Sequence, residues 1–233
     1  MIGFDIGGTK CAVSVGEHTK EGIQITDKKV IPTDLSVSPE TMIDRMCALA
    51  EEMTDEQRKK TWWHQKKYGG GVFLDIGCYG GFFTKWLLGQ GEKSATAIGK
   101  ELNTPFGETA DNFAAIVRFD DKMAVLEGTW TTPRAVIPSG PMLICTEGVI
   151  MCTGGAENQP DVRAYDIFGN EIEIEKAQLG VEFIDMPNMY AWHKETGNDM
   201  HKMTQIDTNV EIMAILDAII TSAESNKEEP IHA

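Results

Sequence analysis

Apolar and polar residues alternate at the start of the chain. Ile2, Phe4 and Ile6 share one side of an extended segment, the two-residue period of a strand. Gly7-Gly8-Thr9 turns the chain, Cys11 to Val15 returns as a second strand, and Ile23 to Ile31 reads as a third. The period then changes. Ser38-Pro39-Glu40 has the form of a helix start, with a cap residue, proline at the first position and an acid in the first turn. Met42, Ile43, Met46, Leu49, Ala50 and Met53 follow as an apolar stripe. Residues 1–56 thus predict a β-meander followed by an amphipathic helix. A dense charge run, Glu51 to Lys60, ends it and reads as a solvated helix end.

Downstream, Tyr68-Gly69-Gly70-Gly71 leads into Val72-Phe73-Leu74, a short apolar run read as a buried strand ended by Asp75 and Gly77. Glycines without a Cβ let backbone approach backbone, or a ligand, closely. Phe82, Phe83, Trp86 and Leu87 pair at a spacing of four, as on the packed face of a helix, and Gly89 stands where that helix would end. Ser94 to Glu101 predicts a strand. Three hairpins follow: Asn112–Phe119 with Met123–Thr131, Met142–Cys145 with Val149–Cys152, and Val162–Ile167 with Glu171–Glu175. The last helix carries Val210, Ile212, Met213, Ile215, Leu216, Ile219 and Ile220, apolar nearly all round, with Thr208 and Glu211 read as its capping box. The expected class is α+β: an open, mainly antiparallel sheet with helices on one face, residues 57–233 forming the larger domain.

The net charge of −15 is spread over both parts: residues 1–56 hold 11 acidic and 5 basic side chains. No basic patch stands out, which argues against nucleic acid. No apolar run reaches membrane-spanning length and no signal peptide is visible, so a soluble, cytoplasmic protein without membrane contact is expected. Cys11, Cys47, Cys78, Cys145 and Cys152 are scattered, without a CxxC pair, and the histidines have no ligand spacing; no disulfide framework and no metal site is expected.

Two resemblances add to this. The stretch GGGVFLDIGCYGGFFTKWLLG resembles the signature that opens the second domain of the Gfo/Idh/MocA oxidoreductases, in the form with Tyr in place of His. The tail NVEIMAILDAIITSAESNKEEP resembles the end of that domain, so the likeness spans about residues 58–228. From residue types alone, Asp75 would cap and Tyr79 would pack. The resemblance instead makes Tyr79 and Asp75 catalytic: Tyr79 exchanges a proton with the substrate oxygen and Asp75 orients the substrate. It places Gly71, Asp75 and Tyr79 against a small sugar or polyol, and it implies NAD(P) as the family's cofactor. The family's first domain, which binds NAD(P) on a glycine-rich strand–helix turn, has no counterpart. Gly89-Gln90-Gly91 follows a helix, and Lys66 and Lys67 do not stand in the family's Glu-Lys-Pro motif. No cofactor is therefore expected to bind to this chain alone.

The opening FDIGGTKCAVSVG resembles the start of ROK-type sugar kinases, of actin-like ATPase fold, over about residues 1–53. That likeness makes Asp5, Gly7, Gly8, Thr9 and Lys10 nucleotide-phosphate residues. The remaining kinase motifs are missing, so the segment reads as a truncated kinase start, fused to the second family near residues 53–61. The expected function is the substrate-binding and dimerising domain of a sugar or polyol oxidoreductase in carbohydrate metabolism, inactive alone. The alternatives are a noncatalytic sugar-binding or assembly module that uses the open sheet as a homo-oligomer surface, or a kinase remnant that binds nucleotide.

Overall fold

The computed structural model describes residues 1–104, 107–132, 140–153, 161–175 and 178–232. The chain divides into two compact units: Met1–Gly71 with Thr104–Thr109, and Val72–Asn103 with Ala110–Ala233.

In the first unit, strands β1 (Ile2–Ile6), β2 (Lys10–Thr19) and β3 (Gly22–Pro32) form an antiparallel sheet in the order β1-β2-β3. Helix α1 (Pro39–Arg58) starts where the sequence signals it, and Ser38 Oγ accepts from the Thr41 N–H at 3.3 Å. The meander and its helix are as expected. Cys11, Val13 and Val15 of β2 are buried against Met42, Met46, Ala50 and Met53 of α1. Ile2, Phe4 and Ile6 pair with Val15, Val13 and Cys11 but stay about half exposed, because α1 packs on β2. The turn between β1 and β2 closes through Gly7 N–H donating to the Lys10 carbonyl at 3.0 Å.

The second unit opens with α2 (Val72–Asp75) and α3 (Gly77–Leu88). The strand expected at Val72–Leu74 is helical. Four apolar residues do not distinguish strand from buried helix, and here Val72 N–H is taken by Ala110 O, while Ile76 N–H donates back to Val72 O and closes a helical turn. Gly89 ends α3 with φ 73°, as its position suggested.

The packed face of α3 also differs from the expectation. Its buried residues are Gly77, Gly81, Thr84 and Lys85, while Trp86 and Leu87 are exposed. A Cβ at Gly77 would meet Phe113 and Leu216, one at Gly80 would meet Leu126 at 2.8 Å, and one at Gly81 would meet Ile212 at 3.1 Å. Small residues set the helix close, and the aromatic side chains lie at its flanks.

The antiparallel hairpins are present, divided between two four-stranded sheets. One has the order β11-β4-β5-β6, from β4 (Ser94–Lys100), β5 (Asn112–Arg118), β6 (Met123–Thr129) and β11 (Glu229–Pro230). The other has the order β10-β9-β8-β7, from β7 (Met142–Cys145), β8 (Gly148–Thr153), β9 (Asp161–Asp166) and β10 (Glu171–Ile172). Phe113, Ala115, Val117, Phe119 and Leu126 of the first sheet form the core with Ile215, Ala218 and Ile219 of α5 (Ile206–Ser225). Its other face leaves Ile98, Ile116, Met123 and Val125 exposed. Helices therefore lie on one face, as the α+β reading requires.

Helix α4 (Met186–Thr196) is an element the hydrophobic pattern did not announce. Its signals are at its ends: Asp185 accepts from the Asn188 N–H at 2.8 Å, Pro187 follows, and Gly197 closes it in the left-handed region. The capping box at Thr208 and Glu211 is not formed. Helix α5 begins at Ile206, after an extended Gln205 that follows the turn Lys202–Thr204, so Thr208 already lies in its first turn.

Two buried polar contacts hold α5 in place. Ser222 Oγ accepts from the Ala97 N–H at 2.9 Å, just beyond the reach of β11, and donates to the Lys227 carbonyl at 2.5 Å. Lys85 Nζ lies 2.7 Å from Glu92 and 2.8 Å from Glu211. Burial alone would lower the Lys85 ammonium, but the hydrogen bonds to Glu211 and Glu92 outweigh it and hold its pKa above the ordinary value.

Three outcomes are expected in denaturant titrations. Ser222→Ala orphans two backbone groups and should cost about 1–3 kcal/mol. Lys85→Ala leaves carboxylates buried without their cation and should cost about 3–5 kcal/mol. The exposed Lys29–Glu52 pair is the contrast, and Lys29→Ala should cost under about 1 kcal/mol. A folded-state pKa above the unfolded one means that Lys85 adds stability below about pH 10.4 and loses it as pH rises further. Wild type should therefore lose stability there more steeply than Lys85→Met.

Candidate functional site

The residues singled out by the sequence fall in three places. Gly71 belongs to the first unit, while Asp75 and Tyr79 lie at the start of the helical segment of the second. Asp5, Gly7, Gly8, Thr9 and Lys10 sit in and beside the β1–β2 turn.

The triple glycine answers to packing. Gly69 closes the turn Lys66–Tyr68 in the left-handed region. A Cβ at Gly71, at φ 113°, would lie 3.0 Å from the Thr109 Cβ, and one at Gly70 would run into the carbonyls of Trp62 and Trp63. Backbone approaches backbone here.

Asp75 ends α2 and Tyr79 stands in the first turn of α3. The two stand four residues apart across the join of α2 and α3, where Tyr79 N–H donates to the Ile76 carbonyl at 3.2 Å. Asp75 does not cap α3: its N-cap is Ile76, which makes no side-chain cap bond. The carboxylate turns instead to the sheet, where Oδ2 accepts from Trp130 Nε1 at 2.8 Å. Tyr79 does not pack; it is 63% exposed. Cys78, between them in sequence, donates to the Asp75 carbonyl at 3.4 Å. Burial, with the Asp75 charge adding to it, pushes its thiol above the ordinary value, so Cys78 is no thiolate nucleophile near neutral pH.

The sequence reading missed the support beneath Asp75. Trp130 N–H donates to the Asp111 carbonyl at 2.9 Å. Asp111 is fully buried, and its carboxylate accepts from Leu102 N–H and Asn103 N–H at 2.8 Å and from Asn112 Nδ2 at 2.7 Å. Asn112 also donates to Thr131 Oγ1 at 3.1 Å, and the Thr129 hydroxyl lies 3.2 Å from it. Polar residues crowd the end of the β5–β6 hairpin, where Asn112 pairs with Thr129. The sequence signal was the Asp-Asn opening β5 opposite Thr-Trp-Thr-Thr closing β6.

None of the glycine turns among the described residues fits a dinucleotide. Gly7-Gly8 joins two antiparallel strands, Gly70 is filled by backbone, and Gly89-Gln90-Gly91 leads from a helix to a strand. A pyrophosphate cradle needs a strand running into a helix N-terminus through open glycines. Among the described residues no three His, Cys, Asp or Glu side chains gather as a metal group, and no helix is long and apolar enough to cross a membrane.

Residues 46–151 match the GFO/IDH/MocA C-terminal domain. No curated protein matches the chain in sequence. Among solved structures, an NAD-binding protein from Listeria innocua aligns with TM-score 0.57 and 20% identity, over 74% of this chain and 51% of that one. The WlbA dehydrogenase from Bordetella pertussis, in complex with NADH and UDP-GlcNAcA, aligns with TM-score 0.55 and 20% identity, over 73% and 49%. An NAD binding oxidoreductase from Klebsiella pneumoniae aligns with TM-score 0.54 and 17% identity, over 74% and 54%. The likeness is one of fold, and the chain spans about half the length of these structures. These matches lend no support to a ROK-kinase or actin-like ATPase likeness of residues 1–53.

Trp130→Phe keeps the ring and removes the donor. It should destabilise the protein by about 1–3 kcal/mol in urea titration, the cost of stranding a half-buried carboxylate acceptor. Gly70→Ala should lower the melting temperature more than Gly8→Ala, since Gly8 has open space where its Cβ would be.

Proposed function

We propose that residues 57–233 act as the substrate-side domain of an NAD(P)-dependent oxidoreductase for a small sugar or polyol. The observation that carries this is the pair at the start of the helical segment: Asp75 fixed by Trp130, and Tyr79 exposed four residues later. That pair falls inside the stretch matched to the GFO/IDH/MocA C-terminal domain. Asp75, held on one oxygen, orients a substrate hydroxyl with the other. Tyr79 gives or takes a proton at the substrate oxygen. Gly71 marks the backbone edge of the same signature. When bound by such enzymes, the nicotinamide supplies or accepts hydride; these residues do not fit it, so the chain alone should turn nothing over. The exposed face of β4, β5 and β6, with Ile98, Ile116 and Val125, is the surface proposed for a homo-oligomer.

The β1–β2 turn motivates a second reading, a weak nucleotide-phosphate contact by Asp5, Gly7, Gly8, Thr9 and Lys10. Packing already accounts for one of these glycines, because a Cβ at Gly7 would lie 2.7 Å from the Lys10 carbonyl oxygen.

Calorimetry on the full chain tests both. A sugar or polyol from a panel should bind, and Asp75→Ala should weaken it about tenfold or more. NAD(P)H fluorescence should not change on adding the chain. ATP should bind with a millimolar or weaker constant, about −4 kcal/mol at best. Sugar binding indifferent to Asp75→Ala would sink the first reading, and a low-micromolar ATP constant would revive the kinase.

A further inference from the structure

In a chain of net charge −15, residues 57–74 hold 5 of the 21 basic side chains and none of the 36 acidic ones. The overall charge conceals this stretch, and the structure gives it a form. Two successive 3-10 turns, Trp62–His64 and Lys66–Tyr68, are pinned at their junction by Gln65. Its N–H donates to the Trp62 carbonyl, its carbonyl accepts from Tyr68 N–H at 3.1 Å and Gly70 N–H at 3.2 Å, and its Nε2 donates to the Lys60 carbonyl at 2.7 Å. His64 is the buried anchor, its carbonyl taken by Glu108 N–H at 2.9 Å. Lys60, Trp62, Trp63, Lys66, Lys67 and Tyr68 are all left exposed. The two indoles stack at 4.0 Å between centroids, and Lys67 Nζ lies 4.6 Å from the Tyr68 ring.

Exposed indoles in a segment that also exposes Lys60, Lys66 and Lys67 suit a ligand with a stackable ring and a negative charge. Size follows from the acids nearby. Asp55 and Glu56 pair with Arg58 and Lys59, and Glu108 accepts from the Lys66 N–H at 3.2 Å. The five cations of residues 57–74 less these three carboxylates leave a net charge of +2, which suits a ligand with one or two negative charges. We infer that this surface of the first unit binds a small ring-bearing anion: a sugar acid, a sugar phosphate or a mononucleotide. The inference goes beyond the oxidoreductase reading. It concerns other residues, and its test reads binding at Trp and Lys variants, so either can fail alone.

Calorimetry of the full chain with glucuronate, glucose 6-phosphate and AMP, set against glucose and inorganic phosphate, decides it. Saturable binding of at least one ring-bearing anion, unaltered by Asp75→Ala, tighter than any binding of glucose and absent for inorganic phosphate, is expected. Glucuronate or glucose 6-phosphate would identify the ring as a sugar, and AMP would identify it as a base. Trp63→Leu, and separately Lys60→Gln with Lys67→Gln, should each raise the dissociation constant about tenfold with an unchanged circular dichroism spectrum. Lys28→Gln, on β3, should leave it unaltered. Absence of binding by all three anions, equal binding of inorganic phosphate, indifference to both variants, or preference for single-stranded oligonucleotide or anionic vesicles overturns the inference.

Discussion

The second unit depends on how closely α3 can lie against β5, β6 and α5. That distance is set by side chains that are not there. Gly77, Gly80 and Gly81 present bare backbone to Phe113, Leu126, Ile212 and Leu216. Interiors pack at near-crystalline density, so a methyl group at any of these positions must displace a neighbour. With the helix drawn in, Lys85 is carried below the surface, and only the carboxylates of Glu92 and Glu211 make that tolerable. The apolar approach and the buried cation are one arrangement. The glycines bring α3 close to α5, and the ion pair ties α3 to α5 and to the turn before β4.

The same closeness orients the candidate site. A helix this near the sheet brings Asp75, at the end of α2, within hydrogen-bond reach of the Trp130 indole on the β6 side. Trp130 is in turn positioned by the buried Asp111, which collects three donors at once. Full burial of a carboxylate is tolerable only with such satisfaction. The chain of support runs from a buried acid, through a tryptophan, to a half-buried acid. Tyr79 is set by a different means, its place in the first turn of α3, and its side chain is exposed.

The sequence showed what local periodicity encodes. The alternation of Phe113, Ala115, Val117 and Phe119 gave the buried face of β5, and Ser38-Pro39-Glu40 gave the start of α1. It misled where several structures share one pattern. Val72-Phe73-Leu74 has the composition of a strand, but Ile76 N–H closes a helical turn onto Val72. Aromatic residues at helical spacing pointed to the packed face of α3, whereas the buried face consists of glycine, threonine and lysine, which hydrophobicity scores poorly. The Asp75–Trp130 bond spans 55 residues, and no local pattern encodes a partner at that separation. A resemblance brought Asp75 and Tyr79 forward; geometry supplied the reason Asp75 is held where it is.

Glycine placement alone separates two kinds of evidence in this chain. A glycine-rich turn is read as a ligand cradle when its open side faces solvent at the entry to a helix. Gly70 fails that test because the carbonyls of Trp62 and Trp63 already occupy its open side, and Gly7 because the Lys10 carbonyl does. In both places the missing Cβ is consumed by the protein's own backbone. The groups proposed for ligands are side chains: one carboxylate oxygen at Asp75, the Tyr79 hydroxyl, and the cations and indoles around Trp62 and Trp63. The chemistry proposed for them is proton transfer, hydrogen bonding and ring stacking. None of it requires a phosphate loop, and this sets the substrate-side reading ahead of the nucleotide one.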